Sequence, residues 1–157
     1  MHLLYNSGED ENLETAVNTL KKALDVTERV YGKDHPETAV AHANMAAALQ
    51  MAGDEKAAEE HVRTALAMTE KALGKNHLDR AYELQILGSL QESQGKFADA
   101  EASLTQAVHI LETVFGKDHI NVAIGLEGLR SLYESMGDSV KEKQTADRIR
   151  KMRGKDI

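Results

Sequence analysis

Three of the seven histidines stand in a repeated setting: Gly32-Lys33-Asp34-His35, Gly74-Lys75-Asn76-His77 and Gly116-Lys117-Asp118-His119. Imidazole is a common metal ligand and the one side chain that ordinarily titrates near neutral pH, so this series is the first candidate for chemistry. A single zinc ion, however, needs its ligands to converge within about 2.1 Å of the metal. His42, His61 and His109 lack the four-residue spacing that puts two imidazoles on one helical face, and are expected to be partly exposed or packing residues. There is no cysteine, so neither a thiol nucleophile nor a disulfide framework is available. The GKDH and GKNH segments lack the further glycine and the Ser or Thr of a phosphate-binding loop. No nucleophile, base and orienting group occur together at a recognisable spacing. The expectation is therefore no catalytic residue, no metal and no cofactor.

What must position these residues is a repeat. The glycines at 32, 74 and 116 are spaced by 42 residues, and Gly53, Gly95 and Gly137 form a second series with the same spacing, 21 residues further on. Apolar residues between these marks recur at three- and four-residue steps, as in Leu84, Leu87, Leu90 and Leu126, Leu129, Leu132. Ala16, Ala23, Ala58, Ala65, Ala100 and Ala107 hold matching places in the second segment of successive units, where close helix approach requires small side chains. The glycines suit helix C-terminal caps and Pro36 the first turn of a helix. Each unit reads as helix, turn, helix, turn, and a lone helical hairpin cannot bury its apolar stripe, so units are expected to stack into an open superhelix with a concave face. Stacking holds equivalent residues about 10 Å apart, too far for His35, His77 and His119 to share a metal. Each is expected instead to hydrogen-bond backbone at a helix start.

Composition agrees with an all-α fold. Hydrophobic residues make up 41% and charged residues 29%, with one proline and only four Tyr and two Phe. The net charge of -7 is uneven: residues 1–136 carry 12 Lys and Arg against 22 Asp and Glu, whereas the last 21 carry 7 against 4. An acidic body repels phosphate backbones, so nucleic acid is excluded as a partner except through the tail around Arg148, Arg150, Lys151 and Arg153. No apolar run approaches the roughly 20 residues that span a bilayer, and the N-terminus turns acidic too soon for a signal peptide. A cytoplasmic protein without membrane insertion is expected.

In the middle unit Leu87, Gly88, Gly95, Phe97, Ala100, Leu104 and Ala107 resemble the tetratricopeptide repeat pattern. The longer 42-residue form, with GKDHPETA in its first loop, resembles the kinesin light chain subclass. The resemblance implies an all-α tetratricopeptide-repeat superhelix, an α-solenoid of antiparallel helix pairs. Residues 1–157 then form one domain: a partial repeat 1–32, repeats 33–74 and 75–116, and a last repeat 117–157 with a terminal capping helix. The start, LLYNSGEDEN onward, is expected to hold the end of a first helix followed by a second. The tail helix is expected to keep Val140, Ala146, Ile149 and Met152 on one face.

The resemblance also implies a non-enzymatic scaffold or adaptor that binds a peptide or helical segment of a partner along the concave groove. In the family the contacting side chains come from the second, fifth, ninth and twelfth positions of each first helix. Here these are Val40, Ala43, Ala47 and Gln50; Tyr82, Gln85, Ser89 and Glu92; Ile124, Glu127, Ser131 and Glu134. The sixth position, often asparagine in the subclass, is Asn44 but then Ile86 and Gly128. No Lys or Arg stands at these places to grip a terminal carboxylate, and Glu92, Glu127 and Glu134 favour a neutral to basic protein or peptide ligand. The alternative is a self-assembling repeat protein, a homo-oligomer through open repeat ends near Val17, Leu20 and Leu24.

Overall fold

A computed structural model describes the backbone of residues 2–154 and the side chains of residues 8–154. It holds seven helices and, among the described residues, no strand: α1 (His2–Tyr31), α2 (Pro36–Met51), α3 (Glu55–Leu73), α4 (Leu78–Ser93), α5 (Phe97–Phe115), α6 (Ile120–Met136) and α7 (Ser139–Gly154). The punctuation lies where the glycines put it. Gly74 and Gly116 end α3 and α5 at φ 95°, and Gly137 ends α6 in the left-handed region at φ 73°, which a side chain would strain. Pro36 occupies the first turn of α2.

The chain divides into two compact units, Met1–Gly74 and Lys75–Ile157. In the first, α2 packs against both α1 and α3. It is rich in alanine, and Ala43 and Ala46 are buried where neighbouring helices approach closely. Thr38 at its start is fully buried and donates to the Gly32 carbonyl at 2.6 Å, tying the loop to the helix. In the second unit, α4 pairs with α5, α5 with α6 and α6 with α7, while α4 also touches α6.

The small-residue stripe behaves as expected in the second helices: Ala58, Ala65, Ala100 and Ala107 are all 0% exposed. Ala16 and Ala23 differ. Among the described residues α1 packs only on α2, so these two alanines face outward. Nor does α1 contain a break. Gly8 is helical without a positive φ, and the position 21 residues before Gly32 is Glu11, so no turn glycine interrupts the 30-residue helix.

Three glycines inside α4 and α6 are close-packing sites. A Cβ on Gly88 would lie 2.6 Å from Leu104 Cγ, one on Gly125 2.9 Å from Leu111 Cδ1, and one on Gly128 3.1 Å from Leu104 Cδ2. Leu104 of α5 thus fills the space left by glycines of two first helices. Forty-two residues on, Arg130 stands where Gly88 does and Ala146 where Leu104 does, a reversal of large and small.

The tail helix departs from expectation at Val140. Ile149 and Met152 are buried and Ala146 half-buried, but Val140 is 66% exposed. Nine residues at 100° each put Val140 on the side opposite Ile149. Three arginines of α7 are paired: Arg148 reaches Glu112 at 3.0 Å and the Lys117 carbonyl at 3.3 Å, Arg153 reaches Glu127 at 2.9 Å, and Arg150 pairs within the helix with Asp147 at 3.1 Å.

Candidate functional site

The three repeated histidines are helix caps. His35, His77 and His119 each hold extended backbone, and each Nδ1 accepts the backbone N–H two residues on, from Glu37, Asp79 and Asn121, at 3.1 Å. A first-turn amide without an intrahelical partner is thereby satisfied. Two of the rings are also stacked, His35 on Tyr31 with centroids 4.6 Å apart and His119 on Phe115 at 4.9 Å. Among the described residues no group of three or more His, Asp or Glu could hold a metal ion.

Two other histidines meet. His42 of α2 and His61 of α3 bring their Nδ1 atoms to 2.9 Å, both half-buried. Burial holds both imidazoles below the ordinary histidine range. A charge on His61 would lower His42 further, while Glu28 opposes that for His42 and Glu60 for His61. Sequence spacing did not suggest this pair because the residues lie 19 apart, on opposite arms of a hairpin.

The expected partner-binding positions fall into two groups. On α2, Val40, Ala47 and Gln50 are half-buried and Asn44 is exposed, but Ala43 is 1% exposed and offers no side-chain surface to a ligand. On α4 and α6, Gln85, Ser89, Glu92, Ile124 and Ser131 line one recess of about 250 Å³. Leu104 and Gly128 complete it; neither was expected as a lining residue. The signal for them was present in Gly128, whose missing side chain opens the recess down to Leu104. Tyr82 lies on α4, 45% exposed, and Ile124 is 62% exposed.

The carboxylates are less uniform than their spacing suggested. Glu92 lies in the recess, and its Oε1 accepts from Ser131 at 3.2 Å and Ser135 at 2.6 Å. These bonds fix its rotamer without neutralising it. Glu127 is balanced by Arg153 and by Arg130 at 3.7 Å. Glu134 lines a different recess, at the α6–α7 turn, with Arg130, Tyr133 and Glu142. Arg130 there is held firmly protonated by its hydrogen bond to Glu142.

No helix among the described residues is long and apolar enough to cross a membrane. The tetratricopeptide repeat pattern matches residues 8–71 and 44–113. No curated protein matches the chain. Among solved structures, BtubC (BKLC) from P. vanneervenii is similar at a TM-score of 0.80 and 19% identity, over 92% of this chain and 57% of that one. The chain thus spans just over half the length of that protein. A kinesin light chain-like protein of Podosopora anserina with nearly identical TPR-like repeats is similar at a TM-score of 0.72 and 20% identity, over 91% of this chain and 68% of that one. A single-substitution variant of the same protein gives a TM-score of 0.75. These likenesses place the fold among all-α tetratricopeptide-repeat solenoids of the kinesin light chain-like kind.

Proposed function

This chain belongs to the tetratricopeptide repeat family, whose repeats generally serve as non-enzymatic protein-interaction scaffolds, and on that premise we propose that it is an adaptor holding a peptide or helical segment of a partner protein. The observation that carries the reading is the α4–α6 recess, in which exposed Ile124 stands beside the Glu92 carboxylate and the Gln85, Ser89 and Ser131 side chains. Such a surface offers one apolar anchor and one fixed negative charge. It suits a segment with an apolar residue next to a lysine or arginine. The helices that carry it are ordered before the ligand arrives, so binding loses less conformational entropy. Val40, Asn44, Ala47 and Gln50 are the corresponding positions on α2. We divide the chain as one repeat domain with boundaries at 32, 74 and 116, and place it in the cytoplasm, a setting suited to a chain without cysteine.

A library of neutral, basic and acidic peptides tests this. We expect neutral to basic sequences to be selected, Ile124→Arg to weaken the selected peptides at least tenfold, and Glu92→Gln to remove the preference for lysine or arginine. Selection of acidic peptides, or affinities indifferent to both changes, would refute it.

A second reading, self-association, is favoured by the outward face of α1, where Val26 is 56% and Val30 67% exposed beside Ala16 and Ala23, whereas of the expected edge Val17, Leu20 and Leu24 the first two are half-buried and Leu24 is buried. Sedimentation that gives one monomer mass at all concentrations would remove it.

A further inference from the structure

We propose that His42 and His61 form an acid-sensitive latch that closes the α2–α3 hairpin at neutral pH and opens when both rings are protonated. The carrying observation is the 2.9 Å separation of the two Nδ1 atoms. Two ring nitrogens hold that distance when one carries a proton and the other presents a lone pair. Two protonated nitrogens would instead put two donors and two positive charges face to face with no acceptor between them.

The surroundings decide which ring donates. Glu28 of α1 lies 3.8 Å from His42 Nε2, so a proton on that nitrogen faces a carboxylate. His42 Nδ1 then carries the lone pair, and His61 Nδ1–H donates to it. On α3, Glu60 precedes His61 in the chain and favours its charge. On α2 the only other ionisable group is Glu37, in the first turn of the helix. The side chain of His42 is 12% exposed, which leaves little water to screen a second charge.

Proton uptake therefore occurs in two steps. The first proton goes to His61 Nε2, leaving Nδ1–H in place and making its bond to His42 charge-assisted. The second must go to His42 Nδ1, the acceptor of that bond, and breaks it. Burial and the charge on His61 both resist this step, so it falls well below the first. Both folded imidazoles lie below the ordinary histidine value of about 6.5, so the unfolded chain binds more protons as the pH falls through it, and the α2–α3 contact loses stability from there downward.

The test is an NMR titration of the imidazoles in the full chain, with His42 and His61 assigned by substitution, alongside thermal unfolding at pH 7.5 and pH 5. We expect the His42 midpoint to lie at least about one pH unit below that of His61, a tenfold difference in proton affinity. In His61→Gln, whose amide can donate to His42 Nδ1 without carrying charge, the His42 midpoint should rise towards the ordinary value. The fall in Tm between the two pH values should shrink with it. Independent titration of both rings at ordinary midpoints, or a His42 midpoint unmoved by His61→Gln, would overturn the latch. Should His61→Gln fail to fold, the separation of midpoints in the unaltered chain decides alone.

Discussion

Leu104 shows what a single side chain asks of its neighbours. It reaches into space that only glycine leaves at 88, and a Cβ there would sit 2.6 Å from its Cγ, the branch point rather than a mobile end. Gly88→Ala gains about 1 kcal/mol of helix propensity but must displace a buried side chain, so we expect a net loss of about 1–2 kcal/mol in urea unfolding. At Gly128 the clash is milder, 3.1 Å from a terminal methyl, and Gly128→Ala should be within about 0.5 kcal/mol of neutral. Tyr133 gives a pH prediction. Burial, together with its hydrogen bond to Glu101 at 2.9 Å, pushes its phenol up to about 12. The folded chain keeps that proton while the unfolded chain releases it near pH 10, so stability should hold up to about pH 10 and fall from there towards 12. Tyr133→Phe should flatten that decline in denaturant titrations across the range. Residue types alone could not have shown this, since the acceptor is 32 positions away in the chain.

At the scale of the helix, ends are decided by a few repeated residues, and one of them is imperfect. Asp54 caps α3 by accepting from the Ala57 N–H at 3.2 Å, and Asp138 caps α7 by accepting from the Lys141 N–H at 3.1 Å. The equivalent residue of α5 is Lys96, which makes no side-chain cap. Lys96→Asp should therefore stabilise the chain by about 1 kcal/mol, and Asp54→Ala should destabilise it by a similar amount, both read from the urea midpoint at constant m. Helix existence, the turn glycines and the capping histidines were all legible in the sequence because each depends on neighbours within one turn. The beginning of α1 was misread for the complementary reason. The segment before Gly32 is expected to hold the end of one helix and the start of the next, but no periodic glycine stands there, Glu11 taking the place 21 residues before Gly32, and the helix runs unbroken through Gly8.

Over the whole molecule, charge sets what the surface attracts. The net charge is -7, and three arginines of the tail are paired: Arg148 with Glu112, Arg150 with Asp147 and Arg153 with Glu127. Exposed pairs of this kind contribute little to stability, so their effect is chiefly to cancel positive potential. We expect no mobility shift of duplex DNA at about 150 mM salt. A shift that Arg148→Ala with Arg153→Ala abolished would show that the tail exchanges its carboxylates for phosphates.

From Gly32 onward the sequence by itself determined the helices, their order, their boundaries at the periodic glycines and the family to which the chain belongs, because a repeat states the same local instruction several times. It also named Gln85, Ser89, Glu92, Ile124 and Ser131, which meet in one recess of the second unit. Tertiary structure decided the rest. Ala43 is buried although its place in the helix suggested contact, Leu104 enters the recess through the gap at Gly128, and Glu127 is neutralised by an arginine 26 residues on. His42 finds His61 eleven residues before and eight after the turn glycine at 53. Such meetings depend on how far one helix is rotated and shifted against the next. That is set by the summed packing of many side chains, and no single spacing in the chain records it.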